Sequence, residues 1–261
     1  MHNNNKHLLL SLACAATLLP SLSQAEPVLR IGTEGAYPPF NYVASNGQLE
    51  GFDVEIGQAM CAKMQRQCEF VAQDWDGIIP ALLAGKYDLI LASMFITEQR
   101  KEQVDFTDPY YKAAMSFVIP KGEIRDDFSP AALAGKVIGA QSATTQAEFL
   151  LANYPDVEVR LYPTQDEANL DMANGRLDMM VGDLLPMLMW TQQTQDGGCC
   201  ELAGDLITDP KFVGDGVGIA VRKEDSQLRE QLNQALAAVI ADGSYQRIND
   251  KYFPINILTL K

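Results

Sequence analysis

Short apolar, β-branched runs recur along this chain with helical-period segments between them, and that alternation leaves few architectures open. Leu29–Thr33, Cys68–Ala72, Leu89–Ser93, Ser116–Ile119, Val137–Gln141, Val157–Tyr162, Met179–Gly182 and Val217–Val221 read as strands. Asp53–Arg66, Ile78–Ala84, Gln146–Ala152, Gln165–Asn174 and Ser226–Asp242 read as helices. Strands that alternate with helices form βα units around mainly parallel sheets, an α/β fold. Ser226 stands where its hydroxyl can cap the last helix. Gly214, Gly216 and Gly218 make no dinucleotide fingerprint, because the strand-like Ile219-Ala220-Val221 follows where a phosphate-holding helix would have to start.

The amino end carries Lys6, an apolar run from Leu8 to Leu19, Pro20 and the small-residue site Ser23-Gln24-Ala25. This is the pattern of a secretory signal peptide over residues 1–25, with an apolar run too short to span a bilayer. Ser11 stands where a lipoprotein signal ending at Cys14 would need an apolar residue, so a soluble, cleaved product is expected. No later segment reads as a membrane span. His2 and His7 both fall inside the signal, and a chain without histidine has no His-based triad and lacks the commonest zinc ligand. Neither a metal nor a cofactor is expected. The balance of 20 basic against 34 acidic residues argues against nucleic acid and anionic lipid as partners and favours a small cation.

A ligand mouth is legible between Ile31 and Asp53. A short strand ends there in a loop holding Glu34 and Tyr37, and Gly51-Phe52-Asp53 follows ahead of a helix. One acid and one flat ring at the carboxyl end of a strand sit where open α/β sheets place their clefts. The same stretch resembles the start of the periplasmic solute-binding proteins for polar amino acids, especially the arginine and lysine/arginine/ornithine type. QDWDGIIPAL (73–82), SMFITEQR (93–100), VDFTDPYY (104–111), GRLD (175–178) with Asp183, and GDGVG (214–218) follow in that family's order and at about its spacings.

The resemblance implies a two-lobed periplasmic binding protein fold of type II with a two-strand hinge. Lobe 1 would comprise residues 26–114 and 213–261, and lobe 2 residues 115–212. It also implies a disulfide between Cys61 and Cys68, whose spacing suits a helix stapled to its following strand; such a link contributes about 2–3 kcal/mol by loop closure. The adjacent Cys199 and Cys200 admit a vicinal disulfide, free thiols or an intermolecular link.

An α-amino acid presents a carboxylate, an ammonium and a side chain. Arg100 matches the family's arginine for the carboxylate, which a guanidinium fork binds bidentately. Thr144, Thr145 and Gln146 open a helix just past Gln141, and their N–H groups would complete anion binding. Asp183 matches the acid for the ammonium, Tyr37 and Trp75 the rings that sandwich the aliphatic stem, and Glu34 the acid for the distal cation. Main-chain carbonyls of Ala92 and Ser93 would add acceptors. Phe95 departs from the pattern, since the family usually carries a serine, threonine or aspartate there. The expected function is a non-enzymatic, monomeric periplasmic binder of a basic amino acid, arginine foremost and lysine or ornithine behind it, that closes on its ligand and delivers it to an ABC permease. An opine such as octopine or nopaline is the alternative ligand that Phe95 raises. A dehydratase on the same fold is the rival from another class, with Glu34 its one candidate acid. Direct signalling through an attached domain is not expected.

Overall fold

The computed structural model describes residues 27–259. The signal-peptide reading, with Cys14 and both histidines, lies outside them. From the amino side, β1 (Leu29–Thr33) leads into a three-stranded meander of β2 (Ala36–Tyr37), β3 (Asn41–Val43) and β4 (Leu49–Glu50). Helix α1 (Phe52–Met64), β5 (Cys68–Ala72), α2 (Ile78–Leu83), β6 (Leu89–Ile90), α3 (Glu98–Lys101) and β7 (Asp105–Phe106) follow. The middle of the chain gives β8 (Met115–Pro120), β9 (Val137–Gln141), α4 (Thr145–Asn153), β10 (Glu158–Tyr162), α5 (Gln165–Ala173), β11 (Met179–Asp183), α6 (Leu184–Gln193), β12 (Cys200–Ile207) and α7 (Pro210–Val213). It closes with β13 (Ala220–Val221), α8 (Ser226–Ala241) and α9 (Ser244–Tyr252).

Two five-stranded sheets result, in the orders β5-β1-β6-β13-β7 and β10-β9-β11-β8-β12. In each, four strands run one way, three of them adjacent and parallel as the βα alternation requires, and one runs against them: β13 between β6 and β7, β8 between β11 and β12. The antiparallel strands adjoin the places where the chain passes between sheets. Both passages run side by side, with Val217 paired antiparallel to Tyr111 and Phe95. Val217 therefore belongs to the crossing, and the strand expected from Val217 begins only at Ala220. Likewise the strand expected to reach Ser93 ends at Ile90, and Ser93 itself lies in the left-handed region at φ 54°.

Gly51 makes the turn from the meander into α1. Its φ is 127°, and a Cβ there would lie 2.3 Å from the Phe40 carbonyl oxygen, so only glycine fits. Beneath the meander Phe40, Phe52, Tyr110, Tyr111, Tyr245 and Phe253 form one aromatic cluster; Phe40 stacks on Tyr111 at 5.1 Å and Phe52 meets Tyr245 edge-on at 5.7 Å. Burying each such ring contributes roughly 1.5–3 kcal/mol, which ties α9 to the floor of the meander. Cys61 and Cys68 are joined, α1 to β5, over a Cα separation of 6.3 Å. Cys199 and Cys200 are joined to each other. The cap expected from Ser226 is not formed. Ser226 is already helical, and Asp225, which precedes it, makes no side-chain cap because its carboxylate pairs with Arg222 at 2.7 Å. No helix among the described residues is long and apolar enough to cross a membrane.

Candidate functional site

Between the two sheets lies a narrow cavity whose walls come from both. Glu34 enters from the end of β1, 8 % exposed. Its Oε1 accepts a 2.6 Å hydrogen bond from Gln141 Nε2 at the end of β9, in the other sheet. Burial pushes the Glu34 carboxyl up to about 7, the Gln141 bond opposes this, and the fields of Asp166, Asp74 and Asp76 add to it. Asp183, ending β11, is equally withdrawn from water and also rises to about 7, restrained by the Tyr37 hydroxyl, the charge of Arg100 and Gln146. Tyr37 donates to Asp183 Oδ2 at 2.6 Å, and Gln146 Nε2 donates to Oδ1. Asp183 sits where a residue would cap α6, yet its side chain makes no cap bond. The carboxylate is turned into the cavity instead.

Arg100 supplies the opposite charge. It lies on the short α3, whose start is capped by Thr97 Oγ1 accepting from Arg100 N at 3.3 Å. Its Nη1 donates to the Phe95 carbonyl at 3.1 Å, and its guanidinium lies over the Trp75 ring, 5.3 Å from the centroid. Burial lowers its pKa to about 10, so it remains a cation. It forms no ion pair among the described residues, and a partly buried guanidinium with donors to spare is suited to an incoming carboxylate. The Trp75 ring is thus committed on one side to Arg100, while its Nε1 donates across to Ala143 O at 2.9 Å.

Every residue expected at the site lines this cavity except Thr145: Ala92, Ser93 and Phe95 with Glu34, Tyr37, Trp75 and Arg100 from one side, Gln141, Thr144, Gln146 and Asp183 from the other. Thr145 is buried with its hydroxyl toward Met115 Sδ and Gln146 Oε1, so its side chain belongs to the packing under α4. Thr144 is the cap of that helix. Its Oγ1 accepts from Ala147 N at 3.2 Å and donates to Gln141 O at 2.6 Å. Phe95 is 2 % exposed, with its ring in both core and cavity wall. Gln165 lines the cavity without having been anticipated. As the opening residue of α5 after β10 it stands where a cleft residue is found, but a glutamine at a helix start carries no charge or ring to single it out.

Residues 29–255 match the bacterial extracellular solute-binding proteins, family 3. The chain belongs to that family. It is 44 % identical over 252 residues to the L-arginine-binding protein of Pseudomonas aeruginosa, covering 96 % of each chain. With ABC transporter arginine-binding protein 1 of Escherichia coli it shares 38 % identity over 242 residues, 92 % of this chain and 97 % of that one. Among solved structures, a Salmonella typhimurium periplasmic binding protein described for its high arginine specificity superposes with a TM-score of 0.79 at 32 % identity, over 87 % of this chain and 99 % of that one. In this family 3 solute-binding protein, then, the fold is the two-lobed type II fold, and the cavity occupies the cleft between its sheets.

Proposed function

We propose that this protein binds a basic L-amino acid, arginine foremost, and closes on it in the periplasm for delivery to an ABC permease. One observation carries the reading: a buried cavity sets a cation, Arg100, against two desolvated carboxylates, Glu34 and Asp183, with walls drawn from both sheets. A zwitterion with a cationic tail matches that charge pattern, its carboxylate at Arg100 and the start of α4, its ammonium at Asp183, its tail at Glu34. The Tyr37 ring and the outer face of Trp75 flank the stem. Residues 26–114 and 213–261 form one lobe in this reading, residues 115–212 the other, and the paired passages at Tyr111 and Val217 are the hinge. A ligand touching both lobes favours the closed state by its differential affinity. In this reading the protein acts as a monomer, and lysine or ornithine are the next ligands in line.

The test is calorimetry of ligand-stripped protein against arginine, citrulline and agmatine. Arginine should bind more tightly than citrulline, which lacks the tail charge, and than agmatine, which lacks the carboxylate. Preference for agmatine removes the role given to Arg100; indifference between arginine and citrulline removes that given to Glu34. A second reading, an N-substituted arginine of the opine class, rests on the apolar Phe95 ring in the cavity wall. The dehydratase reading has a carboxyl titrating near neutrality in Glu34, and a turnover assay with cyclohexadienyl acids decides it.

A further inference from the structure

Outside the cavity, a buried carboxylate holds two of its walls. Asp53, the second residue of α1, has no solvent exposure. Its Oδ2 accepts from Asn41 Nδ2 and from Ser93 Oγ, both at 2.9 Å, and its Oδ1 accepts from the Tyr110 hydroxyl at 2.8 Å. Backbone N–H groups, which can only donate, fix the direction of two of these bonds. Gly35 N–H occupies Asn41 Oδ1 at 2.8 Å, so the NH₂ end of that amide faces Asp53. Ser93 N–H donates to the Tyr110 oxygen at 3.1 Å, which leaves the phenol proton for Asp53. Asp53 therefore accepts on both oxygens, from the Asn41 amide and from the Tyr110 phenol. Burial pushes its carboxyl up to about 6, and the bonds from Tyr110, Asn41 and Ser93 restrain the rise.

From this one side chain, two chains of hydrogen bonds reach the site. Through Asn41, Asp53 pins the peptide that joins Glu34 to Gly35. Directly and through Tyr110, it holds Ser93 by hydroxyl and N–H at once in the left-handed conformation, which non-glycine residues adopt only when their surroundings impose it. That turn sets how the main chain of Ala92 and Ser93 faces the cavity.

We propose that Asp53 is a positioning residue for ligand selection: from outside the cavity it holds Glu34 and Ser93 in the geometry that favours a cationic over a neutral side chain. The proposal rests on the basic-amino-acid reading of the site. An amide at position 53 must place a donor against either the Tyr110 proton or the Asn41 NH₂, so one of the two chains of bonds breaks.

The experiment titrates the parent, Asp53→Asn and Asn41→Ala with arginine and with citrulline, once thermal melts have shown which variants fold. Both variants should lose at least tenfold in arginine affinity and at least fivefold in the arginine-to-citrulline ratio. A loosened fold would weaken both ligands alike and leave the ratio unmoved. The proposal is overturned if Asp53→Asn folds and keeps the parental ratio or, should it not fold, if Asn41→Ala keeps it. A parent that does not bind arginine overturns the reading of the site itself, and this inference with it, before any variant is compared.

Discussion

Glu34 and Asp183 are carboxylates taken out of water, and each holds its proton up to about pH 7. A bound cation stabilises the ionised forms and draws both values down, so binding releases protons at neutral pH. Arginine affinity should therefore fall below pH 7, by up to about tenfold per pH unit for each carboxyl that must first ionise. Calorimetry in two buffers of different ionisation enthalpy counts the released protons; an affinity flat between about pH 5.5 and 8 contradicts it. Stability runs the other way for the uncomplexed protein. The folded-state values lie above the unfolded ones, so the stabilising contribution of these groups is full below about pH 4 and lost as pH rises through 7. Phe95 poses the other residue-scale question. With Tyr37 and Gln146 both bonded to Asp183, the ammonium partner proposed above is held without a hydroxyl at position 95. Phe95→Ser should leave arginine affinity within a few-fold while lowering stability by about 3 kcal/mol, the scale of a lost core ring. If titration instead shows an opine binding more tightly than arginine in the parent and losing that preference in the variant, the ligand is the opine. These charged and aromatic residues were legible because each has a distinctive chemistry. Gln165, Asn41 and Asp53 were not, since their roles lie in partners that only the fold brings near.

At the scale of elements, β1 and β9 could be read as short runs buried nearly throughout, and helices α1, α5 and α8 from a period that turns one face to the core and the other to water. What escaped had no such contrast. Helix α6 is apolar nearly all round, with Leu185, Pro186, Met187 and Met189 buried, and its proline is tolerated within the first turn. Helix α9 is the exception: it does turn Tyr245, Ile248 and Tyr252 to the core at helical spacing, but three apolar residues among polar ones make a short signal. The meander strands have two or three residues each, too few for a period to show. The junction between meander and α1 is nonetheless the element on which the site's floor depends. Gly51→Ala should destabilise the protein by about 1–3 kcal/mol, the cost of a side chain in a forbidden backbone region, more if the Phe40 carbonyl cannot yield. Urea denaturation measures it, and an unchanged midpoint shows the turn to be freer than its φ indicates.

Over the whole molecule, the two sheets are linked by side chains rather than by shared strands. Beside the bonds within the cavity, Ser142 Oγ donates to Asp76 Oδ1 at 2.8 Å and Trp75 Nε1 to Ala143 O. In the proposed closure these rim contacts form as the cleft shuts, so Asp76→Ala should weaken arginine binding by about 0.5–1.5 kcal/mol although Asp76 needs no ligand contact. Stopped-flow measurements should place the loss in a faster off-rate, and an unaltered off-rate removes the rim from the closing energy. The sheets differ also in how the chain composes them. All strands of the second come from one uninterrupted stretch, β8 through β12, whereas the first lacks β13, the strand between β6 and β7, until residues 220–221 are in place. The consequence is temporal. As the chain emerges from its amino end, the part begun later can be finished earlier, while β6 and β7 wait with unpaired edges for a partner some 110 residues downstream of β7. Long-range pairing of this kind is slow and leaves strand edges exposed to wrong partners. Assembly of the first sheet is thus the late step, and a nascent chain halted before residue 220 would carry a completed second sheet joined to an incomplete first one.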